Sequence, residues 1–191
     1  MKVLYEQVPC NDFTLLYSFP NKGGTSMNVL EAILKRRSIR KYKPGLLTDD
    51  QIKTLMTAAM ACPSGMNLRP YRFYVVRGEK TLAKVKSVSP YSHYNAPNAI
   101  VVIGDTQKSP LMWGNDCGAA TQNILLAATE LGLGTVWCGM YPFPGASEAM
   151  KQVLGCAPEE EVYSLILIGT PDEARPAPDR YEESKVTVLD E

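Results

Sequence analysis

Residues Ala99-Ile100-Val101-Val102-Ile103 form an unbroken apolar run bounded by loop-forming sequence, Pro90 to Asn98 before it. Runs this short read as strands, and a strand apolar on both faces needs cover on both. The chain must therefore place layers on either side of a sheet. At 191 residues, 45% hydrophobic, it is long enough to bury such a core within one domain.

The remaining elements follow from periodicity and punctuation. Val29, Leu30, Ile33 and Leu34 recur at helical spacing, with Asn28 as cap, and predict a helix from Asn28 to Arg37. A second helix starts at Thr48, with Gln51 completing a capping box, and carries Ile52, Leu55, Met56 and Ala59 on one face. It stops before Pro63, because the residue preceding a proline resists helical dihedrals. Phe73–Val76, Thr135–Cys138 and Val162–Ile168 read as strands. Lys80–Val88, Asn115–Leu131 and Ala146–Leu154 read as helices, and the small residues Gly118, Ala119 and Ala120 in the longest permit close approach of another backbone. Gly132 and Gly134 end that helix. Helices and strands mix without strict alternation, which predicts a mixed central sheet flanked by helices on both faces rather than a regular doubly wound fold.

Both ends are less regular. Residues 1–26 carry Pro9, Pro20, Gly23 and Gly24 among scattered aromatics, and read as an arm or as an extension before Met27. Residues 27–191 read as one domain, with an extended proline-rich arm from about residue 171 in which Val186–Leu189 can pair as a terminal strand.

Zero formal net charge gives no support for nucleic-acid or anionic-membrane binding. No apolar run approaches the ~20 residues of a membrane span. Five scattered cysteines and a single histidine, His93, make no metal-ligand spacing. They fit free thiols in a reducing cytoplasm. Gly-x-Gly-x-x-Gly, phosphate-loop and nucleophile-elbow patterns are all missing. The carboxylates at Asp49, Asp50 and Asp116 sit where helix starts attract acids.

One stretch does carry chemistry. Arg36-Arg37-Ser38-Ile39-Arg40 places three guanidinium groups and a hydroxyl within five residues. Such a fork suits the phosphate of a small-molecule cofactor. It also suits a solvated helix C-terminus, where cations favour the dipole.

Four segments in order resemble the nitroreductase family of FMN-dependent oxidoreductases, over roughly residues 28–189. They are Arg36–Arg40; Pro63-Ser64-Gly65-Met66-Asn67 with Pro70–Phe73; Asp116–Gly139, including Gly132-Leu133-Gly134-Thr135; and Gly169-Thr170-Pro171 with Arg180. The resemblance implies an α+β, nitroreductase-like fold and an intertwined homodimer with FMN at the subunit interface. It assigns Arg36, Ser38 and Arg40, with neighbouring Arg37, to the phosphate and ribityl chain, and Arg180 to the same phosphate. The family often has a second basic residue where this chain has Pro178. Pro63, Ser64, Gly65, Met66 and Asn67 match the loop that reaches the flavin from the partner chain. Trp137, Cys138 and Gly139 match the segment whose backbone faces the ring.

The implied reaction moves hydride from NADH or NADPH to FMN N5, then to a nitroaromatic, quinone or similar small acceptor, in ping-pong order. The chemistry resides on the flavin, so no catalytic side chain is expected. A flavin carrier or sensor with little turnover would use the same clamp. Dehalogenating or flavin-destroying branches add lids, for which the chain is short between Gly78 and Pro97.

Overall fold

The computed structural model describes residues 27–177 and 179–190. The expectations for residues 1–26, including Cys10, and for Pro178 lie outside the described residues. The order is α1 (Val29–Lys35), α2 (Asp49–Met60), β1 (Tyr71–Val76), α3 (Glu79–Ser87), β2 (Asn98–Asp105), α4 (Trp113–Glu130), β3 (Gly134–Gly139), α5 (Pro144–Leu154) and β4 (Glu160–Gly169). Short 3-10 turns lie at Gly65–Asn67 and Glu183–Lys185.

The four strands run in the order β1-β2-β4-β3, and each neighbouring pair is antiparallel. The parallel pairing expected of a mixed sheet is confined to an isolated bridge between Ser38 and Thr135. No pair of named strands is parallel because each strand lies beside one running the opposite way.

β2 explains the layering. Pleating sends alternate side chains to opposite faces. Val101 and Ile103 join Leu165, Leu167, Val136 and Cys138 against Leu82 and Val85 of α3 and Met150 of α5. Ile100 and Val102 join Ile166 and Ile168 against Leu55 and Ala59 of α2 and Ile124, Leu125 and Ala128 of α4. All five residues of the Ala99–Ile103 run are fully buried. Burying a Val or Ile side chain is worth about 1.5–3 kcal/mol each.

Local signals set the helix ends. Thr48 Oγ1 accepts from Gln51 N at 3.2 Å, and Gln51 Oε1 accepts from Thr48 N at 2.9 Å, completing the capping box. Gly155 ends α5 in the left-handed conformation (φ 65°), where a side chain would strain the turn. In α4 the close approach at Gly118 comes from a side chain rather than a backbone. A Cβ there would stand 2.8 Å from the Tyr163 hydroxyl.

Two apolar stretches stay outside the core. α1 buries only Ala32; Val29 and Leu30 are 72% and 71% exposed, and Leu34 is exposed beside them. Val186–Leu189 pairs with no strand among the described residues, and Val186, Val188 and Leu189 are exposed. The near edge of β3 is already occupied by Ser38 and Ile39, through Ile39 N donating to Thr135 O at 2.8 Å.

Candidate functional site

The arginine segment begins where α1 stops. Arg36 caps the helix, its N–H reaching Ala32 O at 3.0 Å, and then turns out of helical geometry (φ −55°, ψ 128°). The extended chain that follows lies along the start of β3. It is tied further to the tail by Lys43 N to Thr170 O and Asp172 N to Lys41 O, both 2.9 Å. Gly134 is required here, since a Cβ would stand 2.8 Å from Ile39.

The four functional side chains of this segment differ in what they touch. Arg37 donates through Nε to Pro176 O at 2.9 Å and through its other nitrogens to Leu34 O and Arg36 O. It clasps the end of α1 to the tail. Arg40 donates through Nε to the Tyr94 hydroxyl at 3.1 Å and lies over that ring, 5.7 Å from its centroid. Its backbone N–H, with that of Lys41, is received by Glu173 at 2.5 and 3.3 Å. Those bonds, led by the one from Arg40 and joined by the Arg175 ion pair at 3.2 Å, hold the Glu173 carboxyl below the usual range. The Ser38 hydroxyl makes no hydrogen bond among the described residues.

Arg36 is the exception electrostatically. Burial lowers its pKa first, and repulsion from Arg37 and Arg180 lowers it further. No described carboxylate lies within 4.0 Å of Arg36 or Arg180. A half-buried guanidinium facing like charges, with no counter-ion among the described residues, is held at a cost. An anion with several oxygens would reverse that cost.

β3 supplies backbone donors beside this cluster. It is an edge strand, and Thr135 turns its carbonyl outward to Ile39. In an antiparallel ladder a residue's N–H and C=O point the same way, and alternate residues share a direction. Trp137 and Gly139 therefore present their N–H groups to the open edge, while Cys138 pairs inward with β4. The Cys138 thiol is buried, donates to Tyr91 O at 3.1 Å, and has its pKa pushed up to about 11 by burial. Burial likewise raises Cys117 to about 12 and lifts Cys62 and Cys156. None of these four is a thiolate nucleophile at neutral pH.

The Pro63–Asn67 loop is built around Asp116, only 4% exposed. Its carboxylate accepts from Ser64 Oγ at 2.8 Å and Gly65 N at 3.1 Å, while Ser64 Oγ accepts from Arg69 N at 2.7 Å. Met66, Asn67 and Arg69 hold left-handed backbone (φ 49°, 56° and 48°), which methionine and arginine seldom adopt. Met66 is 87% exposed at the tip. The base is fixed and the tip is presented to solvent.

Within the chain these two groups stay apart. The loop docks on the first turn of α4, where a Cβ on Gly65 would stand 3.2 Å from Met112. α1 approaches the other end, where Met27 N reaches Glu130 at 3.3 Å. An 18-residue helix rises about 27 Å between them. No described hydrogen bond or ion pair joins the loop to the arginines.

Asp116, read from its position as a helix-start acid, is instead the buried acceptor that shapes the loop. Tyr94 and Glu173, which fix Arg40, carried no sequence signal beyond their residue types. His93 is exposed, its ring tilted about 45° against that of Tyr94 with centroids 4.3 Å apart. Among the described residues no cluster of His, Cys, Asp and Glu could hold a metal. No described helix is long and apolar enough to cross a membrane.

A model described as the nitroreductase family matches residues 33–108 and 91–170. A Methanothermobacter thermautotrophicus protein named "Putative NADH dehydrogenase/NAD(P)H nitroreductase" is 39% identical over 85% of this chain and 87% of its own length. A crystal structure of the same name from Parabacteroides distasonis aligns with a TM-score of 0.80 at 36% identity, covering 83% of this chain and 96% of that one. An FMN-dependent nitroreductase of Clostridium difficile aligns with a TM-score of 0.74 at 29% identity, covering 85% and 99%.

Proposed function

The chain belongs to the nitroreductase family, and from that premise we propose that it binds FMN and passes electrons from NADH or NADPH to a small nitroaromatic or quinone acceptor. The observation that carries the FMN reading is a half-buried Arg36, repelled by Arg37 and Arg180, with no carboxylate at ion-pair distance from Arg36 or Arg180 among the described residues. A phosphate dianion is the counter-ion such a pair lacks.

The residues fit the cofactor. Arg36, Arg180 and the free Ser38 hydroxyl would hold the phosphate, with Arg40 oriented by Tyr94 beside them. Arg37 keeps the segment clasped to the tail. The outward N–H groups of Trp137 and Gly139 would meet the polar edge of the ring. When bound, FMN supplies the two-electron relay between donor and acceptor, in alternating ping-pong order. The protein's own part is to bind, orient and leave one face accessible. Per turn, NAD(P)H, a proton and a nitro compound become NAD(P)+, a nitroso compound and water.

The site is completed by a second copy. The exposed apolar side of α1 and the apolar tail supply the contact surface of a homodimer. The Pro63–Asn67 loop, rigid at its base and far from its own arginines, would serve the partner's flavin.

An absorbance spectrum of the purified protein, followed by anaerobic addition of NADH and separately NADPH, tests this. Flavin bands that bleach are the expected result, and the faster donor is the preferred one. Bands that persist point to a carrier, and a protein that takes up no FMN ends the proposal. Arg36→Ala is expected to weaken FMN binding about ten- to hundredfold, read by fluorescence titration, as one or two charge-assisted hydrogen bonds are lost.

A further inference from the structure

Both tryptophans of the chain, Trp113 and Trp137, belong to one cluster with Tyr141 and Tyr163. The Trp137 ring lies 5.9 Å from that of Tyr163, which lies 6.1 Å from Tyr141 and 6.2 Å from Trp113. Trp113 and Tyr141 meet edge-on at 4.8 Å. These centroid separations are all within ring-contact range. The other ring pairs among the described residues, Tyr71–Phe73, Tyr91–Phe143 and His93–Tyr94, each include a phenylalanine or a histidine. In this cluster every ring is an indole or a phenol, the aromatic side chains that give up an electron most readily.

Tyr163 is the node, and the backbone is irregular at it. Val102 pairs with Ser164 and Ile103 with Val162, so Tyr163 is the extra residue of a bulge in β4. Val162 and Leu165, three residues apart, therefore both enter the core beneath α3 and α5, while Tyr163 packs on the α4 side. Two glycines clear the space. A Cβ on Gly118 would stand 2.8 Å from the Tyr163 hydroxyl, and one on Gly104 would stand 2.5 Å from the Trp113 ring. Neither tyrosine hydroxyl nor either indole N–H makes a hydrogen bond among the described residues. The cluster reaches from the proposed redox site to solvent. Trp137 stands on β3, whose outward N–H groups are assigned above to the flavin edge, and Tyr141 is 50% exposed. A half-open cavity of about 240 Å3 borders both tyrosines, roomy enough for the water that takes a phenol proton.

We propose that these rings form a relay that carries an electron from Tyr141 through Tyr163 to Trp137, repairing the indole when it is oxidised beside the flavin. The proposal rests on the FMN reading above. The oxidant is photoexcited flavin, which draws one electron from the adjacent indole. Tyr163 refills the indole and is refilled in turn by Tyr141. Each phenol releases its proton to water as its electron leaves, and Tyr163 recovers one when it is refilled. The net change is one electron moved from Tyr141 to the flavin and one Tyr141 proton released to water. A thiol in solution then gives a hydrogen atom to the Tyr141 phenoxyl, and two of the resulting thiyl radicals join as a disulfide. Electron tunnelling falls steeply with distance, so short hops between touching rings outrun one long jump. Burial raises the Tyr163 pKa, so its hydroxyl keeps its proton at rest.

The first arm of the test needs no flavin. Azide radicals oxidise tryptophan selectively, and in a Trp113→Phe protein Trp137 is the sole indole. Pulse radiolysis of that protein is expected to show the indolyl band decaying as a phenoxyl band grows, at a rate independent of protein concentration. Adding Tyr163→Phe, which keeps the ring and abandons no hydrogen bond, is expected to slow that growth about tenfold or more. In the second arm, blue light on the FMN-loaded parent protein is expected to give a tyrosyl signal in electron paramagnetic resonance, and Tyr141→Phe to remove most of it. Transfer that is no slower with Tyr163→Phe, or a tyrosyl signal that Tyr141→Phe leaves unaltered, overturns the proposal. A protein that passes the first arm yet takes up no FMN supports the relay among the rings and ends the FMN reading instead.

Discussion

Helices α1 and α2 look alike in sequence and behave oppositely in the fold. Each follows a side-chain cap, Asn28 or Thr48, and each carries an apolar stripe at helical spacing. α2 packs against α4 and buries Leu55 and Ala59 completely. α1 turns Val29, Leu30 and Leu34 to solvent. The difference teaches that a stripe specifies a helix and a demand for cover, but not which molecule provides it. For α2 the cover is in the chain. For α1 it is assigned by the proposal to a second copy.

The strongest way to break this comparison is to charge the α1 stripe. Leu30→Lys with Leu34→Lys is expected to remove about 3–6 kcal/mol per protomer of intersubunit burial. Sedimentation should then show monomers, with FMN lost alongside. A double variant that stays dimeric would leave α1 as ordinary surface. Leu55→Ala attacks the other member of the pair. It should cost about 2–5 kcal/mol in denaturant unfolding, because a fully buried site is left as a cavity.

Deleting residues 181–191 sharpens the contrast at the other unpartnered stretch. The truncated chain is expected to dimerise and retain FMN about tenfold more weakly, a loss of about 1.4 kcal/mol. A truncated protein that stays dimeric and yellow would confine the contact to α1. The smallest effect lies at the caps. Thr48→Ala should lower the melting temperature by the equivalent of about 0.5–2 kcal/mol. Asn28→Ala should cost less in a diluted monomer, whose α1 has little tertiary packing to lose, and measurably more in the dimer.

The same contrast marks what was legible beforehand. β2, the capping box and the glycine stop of α4 are written in neighbouring residues, so local pattern sufficed. The arginine segment carried the basic pattern on which the proposed anion site rests, but Arg37 is occupied by backbone carbonyls, a role its charge did not announce. Asp116 was hidden because acids at helix starts are commonplace. What distinguishes it is burial beneath a loop some 50 residues earlier, which no local pattern reports. Long-range pairing accounts for the rest.

The buried thiols described above acquire a further meaning on the proposed reading. Quinones and the nitroso products of nitro reduction are electrophiles, and cysteine thiolates are what they arylate. Cys62, Cys117 and Cys138 are buried, Cys156 is half-buried, and burial holds all four in the thiol form. Apart from Cys10, outside the described region, the protein thus offers its own substrates and products little to alkylate. On that reading, resistance to self-inactivation is a property of the core: the packing that buries the sheet also holds these thiols away from such electrophiles.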